Sequence, residues 1–364
     1  MNVTKNLIQE GSKHYQQLLG FAPRRTKLEI LDRSNWAHFC DKFDLEKGAE
    51  GVFMPRNLTS YILSDSEHAS LNLFHEYFGH GLFVEYAKRG RQLEKLEKRL
   101  LDEELRKFKG SVVSSESLAE FRETNPAFNL IKKNSQKNTY AYELFAIWTE
   151  HYLSRLFGIE GFDKKYNNLP EEIGDGLEEM FKFQRNKGTL AFFYEMGMPR
   201  YCHGEKVRVL FEELYDSRAK SADLVIHYGS KKPYSDLDIL VVSSEIRDFT
   251  NNWLDIYSFT KEQFDYAVST FDVSVIDPLL KGEFISGDKA YFEQKRKKLI
   301  EQPIKQEAIY YNLIRSKQQK ILSKQFPESS LERTKGESYA RTYLRNALSL
   351  KRGNRILEGE YFRR

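Results

Sequence analysis

Two histidines and a glutamate lie close together in the first half of the chain, in the string Leu73-Phe-His-Glu-Tyr-Phe-Gly-His80. Imidazole nitrogens are good ligands for zinc, and a glutamate beside them could take a proton from a bound water. His75 and His80 are five residues apart, which places them about 140° apart around a regular α-helix. One extra residue accommodated as a π-bulge would bring both rings to one face, and Gly79 offers the least steric resistance to it. The spacing therefore predicts a metal site on a distorted helix.

This string resembles the H-E-x-x-G-H signature of the dipeptidyl peptidase III family of zinc metallopeptidases, over the six residues from His75 to His80. The resemblance implies a zinc ion held by these two histidines, with Glu76 as the general base that takes a proton from the attacking water. Members of the family draw their third zinc ligand from a glutamate on a downstream helix. Glu143 corresponds to it by position, in the fragment Tyr142–Ala146, which matches the family's second motif in part.

Other residues of the first half are expected to support that site. Glu150 lies seven residues after Glu143, on the same helix face, and would orient a ligating histidine as a hydrogen-bond acceptor. Two short strands, Gly51–Pro55 and Leu58–Leu63, precede a helix predicted over Ala69–Lys88. The edge of these strands offers backbone groups with which an extended peptide substrate could pair.

Acidic side chains mark the start of an apolar strand in the second half of the chain. Strands are predicted over Leu224–Tyr228 and Leu237–Val242, and Gly229-Ser230 directly follows the first of them. Asp236 and Asp238 are two residues apart, so the alternation of a strand points both carboxylates to one face. Carboxylates so close together repel each other unless a cation lies between them, and their hard oxygens suit Mg²⁺. The glycine and the serine hydroxyl would let a phosphate group approach closely.

This pattern resembles the nucleotidyltransferase superfamily typified by DNA polymerase β, and most closely its minimal and antibiotic-modifying members. The resemblance covers residues 205–300 and implies in-line transfer of a nucleoside monophosphate from an NTP to a protein, an RNA or a small molecule. It also implies that Asp236 and Asp238 hold the Mg²⁺ ions. The residues implied to bind the phosphates are Gly229, Ser230 and Lys231, with Lys232 as an alternative to Lys231.

Members of this superfamily carry a third carboxylate on a later strand. Asp255, in the predicted strand Trp253–Tyr257, is the preferred candidate because it follows an apolar approach and precedes a helix start at Thr260. By analogy it would help to bind one metal ion and would accept the proton of the acceptor hydroxyl. Asp272, in the segment Phe271–Ile276, is the second candidate.

The C-terminal region is strongly basic. Residues 295–364 contain 18 Lys and Arg against seven Asp and Glu, whereas the whole chain carries a net charge of only +4. Apolar residues at helical spacing predict helices over 301–364, with Arg341 and Arg345 on the last of them. Two interpretations stay open, a solvated helical face or a surface for RNA, DNA or a polyphosphate.

The order of the predicted elements indicates an α+β fold with three domains. Residues 1–203 are predicted to form a mostly helical, zincin-like domain, in which helices are expected over 1–20 and 25–45. Residues 204–300 are predicted to form a small mixed-sheet nucleotidyltransferase domain, because helices and strands alternate there. Residues 301–364 are predicted to form a basic helical domain.

Composition fits a folded cytoplasmic protein without a membrane partner. Hydrophobic residues make up 40% and charged residues 30% of the chain, and no stretch approaches the roughly 18 apolar residues of a membrane span. Cys40 and Cys202 are too few for a disulfide framework, and the first residues lack the apolar core of a secretory signal. A serine-rich break is expected at 110–117. The histidines expected to be ordinary core or surface residues are His14, His38, His68 and His227.

The residues therefore favour a nucleotidyltransferase fused to a zinc metallopeptidase, a transferase and a hydrolase in one chain. Two alternatives remain open. The first is a zinc metallopeptidase with a non-catalytic nucleotidyltransferase-like domain, and the second is a nucleic-acid-binding regulator that uses the basic helices. Zinc content and NTP turnover separate these alternatives.

Overall fold

A computed structural model describes residues 2–43, 45, 48–108, 124, 126–167, 169–201 and 203–354. The predicted serine-rich break at 110–117 and residues 355–364 of the basic region lie outside these ranges. The chain divides into two compact units, Met1–Tyr201 and Cys202–Arg364. Each unit combines helices with one small mixed sheet, so the predicted α+β fold is confirmed. Within the described ranges, no helix combines the length and the apolar run that a membrane crossing requires.

The first unit consists of helices around a three-stranded sheet. Its helices are α1 (Asn2–Leu19), α2 (Arg33–Phe43), α3 (Ala69–Asn72), α4 (Gly81–Tyr86), α5 (Lys88–Lys107), α6 (Pro126–Phe157), α7 (Phe162–Lys165), α8 (Glu171–Lys187) and α9 (Thr189–Glu195). A π-helix over Leu73–His80 connects α3 to α4. The strands are β1 (Lys27–Leu31), β2 (Gly51–Met54) and β3 (Thr59–Leu63). They lie in the order β1-β3-β2, with β1 parallel and β2 antiparallel to β3, so β2 is an edge strand.

The prediction of a helix over 25–45 is wrong in its first part. Residues Lys27–Leu31 form β1, and only Arg33–Phe43 is helical. β1 pairs with β3, with Leu28 opposite Ser60, and no side chain of β1 is buried. The spacing of apolar residues does not predict such a strand. The strand is stabilised by backbone hydrogen bonds to a segment that is distant in sequence.

Aromatic side chains hold α6 against the rest of the first unit. Phe145 and Trp148 on α6 are fully buried, and the Trp148 ring lies 4.1 Å from that of Phe192 on α9, centroid to centroid. Phe74 on the π-helix lies 5.9 Å from Phe157 at the end of α6. Each side chain buried in this way contributes about 1.5–3 kcal/mol. The core thus sets the distance between α6 and the π-helix.

The second unit is built on a five-stranded sheet. Its strands are β4 (Leu224–Tyr228), β5 (Leu237–Val242), β6 (Phe249–Thr250), β7 (Leu254–Phe259) and β8 (Glu283–Gly287). They lie in the order β6-β7-β5-β4-β8, and of the neighbouring pairs only β5 and β7 run parallel. The helices are α10 (Glu205–Tyr215), α11 (Ser217–Lys220), α12 (Lys261–Ser269), α13 (Val273–Lys281), α14 (Lys289–Glu301), α15 (Gln306–Ser323) and α16 (Leu331–Lys351).

One apolar core joins this sheet to helices on one of its faces. Ile226 on β4 and Leu240 on β5 belong to the same buried cluster as Phe264 on α12. Ile309 on α15 and Tyr343 on α16 also belong to it, so the C-terminal helices share the core of the sheet. The division into three domains stays a prediction.

Candidate metal centre and acidic site

His75 and His80 come together because the helix that carries them is a π-helix. The backbone N–H of Gly81 donates to the carbonyl of Glu76, five residues earlier, which is the hydrogen bond typical of a π-turn. The hydroxyl of Ser60 on β3 donates to the same carbonyl, at 3.0 Å. The two imidazole rings lie 4.7 Å apart, centroid to centroid, and are nearly perpendicular. The distortion expected from the spacing is present, and it gathers the two side chains.

Glu143 on α6 completes this cluster. One of its carboxylate oxygens lies 3.5 Å from Nε2 of His75, and the other lies 3.5 Å from Nε2 of His80. The π-helix and α6 approach closely at Gly79, where a Cβ would lie only 2.6 Å from the Cα of Ala146. Because Ala146 is one helical turn after Glu143, this contact places the carboxylate opposite the histidines.

A hydrogen-bonded group holds the other side of the His75 ring. Its Nδ1 lies 3.0 Å from Oε2 of Glu150, which is fully buried. The hydroxyl of Tyr166 donates to this carboxylate at 2.6 Å, and Nζ of Lys165 donates to both of its oxygens at 2.9 and 3.0 Å. The sequence indicates Glu150 but not Lys165 or Tyr166, because no local spacing relates them to the histidine helix. Together the three residues direct Nε2 of His75 toward Glu143.

His80 is oriented by packing. Its ring stacks on that of Tyr142, with centroids 3.8 Å apart. The ring of Phe53, on β2, lies 6.0 Å from the His80 ring, centroid to centroid. The Nδ1 of His80 is buried and has no hydrogen-bond partner among the described residues. The aromatic contacts therefore set the direction in which Nε2 points.

Glu76 is buried beside these ligands. Its Oε2 lies 4.0 Å from Nε2 of His80. Gly51, the first residue of the edge strand β2, packs against it, because a Cβ at Gly51 would lie 3.0 Å from Cγ and 3.1 Å from Oε1 of Glu76. The carboxylate is therefore close both to the histidines and to the edge strand β2.

The three donors fit a zinc ion. Ligand atoms about 2.0–2.1 Å from zinc at tetrahedral angles lie about 3.4 Å from one another. Each histidine nitrogen lies 3.5 Å from a different oxygen of Glu143, and one ligand atom from each of the three residues lies within 4.8 Å of the other two. Two imidazole nitrogens and a carboxylate oxygen form the donor set of many catalytic zinc sites, which keep a fourth position open. The side chain of Glu143 is 41% exposed, so the cluster is accessible from solvent.

Burial and charge perturb every titratable group in this cluster. Burial lowers the pKa of His80 to about 3 and raises the pKa of Glu76 to about 7. Burial also disfavours charge on Glu143, but the two histidines outweigh it and lower the pKa of Glu143 to about 2. Burial opposes charge on His75 as well, but the carboxylates of Glu143 and Glu150 raise its pKa to about 10. At neutral pH the metal-free cluster thus contains a neutral imidazole at His80, a carboxylate at Glu143 and a protonated imidazole at His75, so a metal ion that binds there would displace the proton of His75.

Asp238 and Asp255 are neighbours in the second unit. They lie at paired positions on the parallel strands β5 and β7, so both side chains are on the same face of the sheet. Asp236 precedes β5 and is exposed. Among the residues that the structure describes, no set of one oxygen from each of these three carboxylates lies within 4.8 Å of one another. The fold thus pairs Asp238 with Asp255 on adjacent strands, and the three predicted Mg²⁺ ligands do not converge within that spacing.

The turn after β4 reaches this carboxylate pair. Gly229 has a φ of +81°, in the left-handed region that favours glycine, and a Cβ there would lie 2.0 Å from Oδ2 of Asp238. Ser230 and Lys231 follow it and are exposed, and Nζ of Lys231 lies 3.9 Å from Oε2 of Glu283. Of the predicted phosphate-binding residues, Gly229 therefore borders Asp238, whereas the ammonium group of Lys231 lies near Glu283.

The two candidates for the third carboxylate have different surroundings. Asp255 accepts a hydrogen bond from the hydroxyl of Thr250 and is half-buried. Asp272 is the N-cap of α13 and no part of a strand, and it is only 3% exposed. Its carboxylate accepts hydrogen bonds from the hydroxyls of Tyr311 and Tyr343. Because core residues use its acceptor oxygens, Asp272 has a structural role and Asp255 is the better candidate.

Comparisons with known proteins add little to this geometry. No family model matches the chain, and no curated protein matches it. A nucleotidyltransferase-like protein from Exiguobacterium sibiricum 255-15 is similar in structure with a TM-score of 0.26 and 12% sequence identity. The similarity covers 43% of this chain and 59% of that one, so less than two thirds of that protein is spanned. A similarity of this size assigns no activity to the chain.

Proposed function

We propose that the first unit is a zinc-dependent peptidase that hydrolyses an extended peptide. The observation that carries this proposal is the convergence of His75, His80 and Glu143, with N···O distances of 3.5 Å, beside the buried carboxylate of Glu76. A zinc ion held there would act as a Lewis acid and lower the pKa of a water molecule to about 7.

The surrounding residues are suited to peptide hydrolysis. Glu76 would accept a proton from the water while the water oxygen attacks the peptide carbonyl carbon. Glu76 would then give that proton to the leaving amine when the C–N bond breaks. An extended peptide would pair with the outer edge of β2, which is an edge strand in the described sheet. Because Gly51 opens that strand next to Glu76, a peptide bond paired there would lie close to the general base.

Metal content and peptide cleavage test this proposal in the full chain. We expect the wild-type protein to retain zinc and to cleave members of a mixture of unstructured peptides, with products identified by mass spectrometry. Glu76→Gln should retain zinc and lose about 10²–10⁴-fold in rate, as expected for the loss of a general base. His80→Asn should lose its activity and the zinc equivalent bound in the first unit, whereas the exposed Glu160→Gln should lose neither. Cleavage by Glu76→Gln at the wild-type rate would refute the assignment.

A second proposal concerns the second unit, which would be a nucleotidyltransferase. It is supported by the pairing of Asp238 with Asp255 on adjacent parallel strands and by the close approach of Gly229 to Asp238. Two carboxylates so placed suit Mg²⁺, which would neutralise the charge of a bound triphosphate. The carboxylates of Asp236, Asp238 and Asp255 would have to move closer together to share a metal ion, since among the described residues no set of one oxygen from each lies within 4.8 Å of one another.

The reaction would be the in-line transfer of a nucleoside monophosphate. The oxygen of an acceptor hydroxyl attacks the α-phosphorus of the NTP, the bond to the β-phosphate oxygen breaks, and pyrophosphate leaves. Asp255 would accept the hydroxyl proton. Ser230 and Lys231, exposed at the end of β4, would bind the outer phosphates.

Radiolabelled NTPs test this second proposal. We expect the wild-type protein to transfer label from an NTP labelled in its α-phosphate, and Asp238→Asn to transfer none. Glu293→Gln, at an exposed position of α14, serves as the control and should label normally. Equal labelling by wild type and Asp238→Asn would refute the transferase proposal. The remaining alternative would be a peptidase with a non-catalytic second unit. The nucleic-acid-binding alternative would then be tested by RNA and DNA retention on wild type and on a variant without the exposed Arg341 and Arg345.

A further inference from the structure

Two histidines and a glutamate meet at one edge of the second sheet. His203 lies just before α10, His227 is on β4 and Glu283 begins the edge strand β8. One ligand atom from each lies within 4.8 Å of the other two. His227 and Glu283 occupy paired positions on adjacent strands, with Nδ1 and Oε2 3.8 Å apart. The backbone of Gly204, next to His203, lies close to the carboxylate of Glu283: a Cβ at Gly204 would lie 3.2 Å from Oε1 of Glu283.

This group leaves buried polar atoms without partners. His227 is only 2% exposed, and neither its Nδ1 nor Oε2 of Glu283 has a hydrogen-bond partner among the described residues. Nζ of Lys231 lies 3.9 Å from Oε2, too far for a hydrogen bond, and its side chain is 59% exposed. Buried donors and acceptors of this kind are unfavourable unless a ligand engages them.

The group is separate from the acidic site. Along β4 and β5, His227 is opposite Ile239 and Tyr228 is opposite Asp238. Since successive residues of a strand point to opposite faces, His227 and Asp238 are on different faces of the sheet. The group therefore belongs to neither of the sites described above.

We propose that His203, His227 and Glu283 bind a transition-metal dication, most naturally zinc. Mg²⁺ and Ca²⁺ require oxygen ligands, so a group with two imidazole nitrogens does not suit them. Two imidazole nitrogens and one carboxylate oxygen match the ligands that zinc prefers. The exposure of His203 leaves a route for the ion and room for a water molecule as fourth ligand. The ion would fasten the segment before α10 to the edge formed by β4 and β8, and it would engage the two buried atoms that lack partners.

Zinc stoichiometry of the full chain tests the proposal. Protein stripped with EDTA is dialysed against zinc chloride, and bound metal is measured by atomic emission. We expect His203→Asn to bind one equivalent fewer than wild type, and Glu283→Gln to do the same. His80→Asn, which removes a ligand of the first unit, should also lose one equivalent, and the variant with both His203→Asn and His80→Asn should bind none.

These variants separate the new site from the peptidase proposal. If the first unit binds no zinc but the second unit does, His80→Asn has no effect on zinc content and His203→Asn abolishes zinc binding. His203 is exposed, so its replacement leaves the core intact, and the similarly exposed His38→Asn is the matched control. Zinc binding by His203→Asn and Glu283→Gln equal to that of wild type, with unchanged circular dichroism, would overturn the assignment.

Discussion

Replacing Gly79 by alanine tests whether the contact between two helices assembles the metal centre. The added Cβ would lie 2.6 Å from the Cα and 2.9 Å from the Cβ of Ala146, whereas carbon atoms in ordinary contact lie about 3.5–4.0 Å apart. The π-helix and α6 would therefore have to separate by about 1 Å at this point. Zinc sites tolerate ligand displacements of only about 0.2 Å. We expect the zinc affinity to fall at least about 10-fold, because Glu143 moves with α6.

The same substitution should lower the stability of the zinc-free protein. Overpacking of a core costs about 1–3 kcal/mol, while replacing glycine by alanine in a helix contributes about 0.5–1 kcal/mol in the other direction. The net loss is about 0–2.5 kcal/mol and is centred near 1 kcal/mol, which corresponds to a fall in Tm of about 2–4 °C for a unit of this size. Thermal unfolding after EDTA treatment measures this loss, and competition with a chelator measures the zinc affinity separately.

Gly174→Ala is the matched control for this experiment. Gly174 is also helical, in α8, but an added Cβ there would meet no atom within 4 Å. Only the helix propensity should change, so this variant should gain about 0.5–1 kcal/mol and keep its zinc affinity. If Gly79→Ala instead unfolds at or above the wild-type temperature and binds zinc as tightly, the close contact does not position Glu143 and our reasoning is wrong.

Three further substitutions probe the contacts around the two candidate sites. Glu150→Gln should weaken zinc binding about 10–100-fold, measured by chelator competition, because the carboxylate that orients His75 loses its charge; unchanged affinity would count against that role. Asp272→Ala should cost about 3 kcal/mol in urea unfolding, since it removes a helix cap and two buried hydrogen bonds, and a loss of labelling per folded molecule would instead point to a catalytic role. Gly229→Ala should reduce NTP labelling about 100-fold by displacing Asp238, and labelling at the wild-type rate would contradict the predicted site.

Patterns that depend on neighbouring residues were read correctly from the sequence. The five-residue spacing of His75 and His80, with a glycine between them, indicates a π-distortion, and a π-helix is present. Strands β4, β5 and β7 follow from short apolar runs bounded by turn residues. Such features are set by backbone geometry over one or two turns, so a single segment contains the information needed to predict them.

Strand β1 was missed because its evidence lies elsewhere in the chain. None of its side chains is buried, and each of its residues pairs with a residue 32 positions later, in Thr59–Leu63. Asp272 was considered as a catalytic carboxylate because its local sequence resembles a strand. The hydroxyls of Tyr311 and Tyr343, which show its structural role, come from helices far along the chain.

The sequence by itself therefore determined which residues could do chemistry: a histidine–glutamate–histidine string, a glycine–serine turn and a pair of aspartates. Only the tertiary structure decided which of them meet. It set the 3.5 Å distances from Glu143 to both histidines, surrounded Glu150 with Lys165 and Tyr166, and placed Asp238 beside Asp255 on adjacent strands. The physical reason is that these distances depend on how helices and strands pack through contacts between distant segments, and the periodicity of one segment contains no information about such contacts.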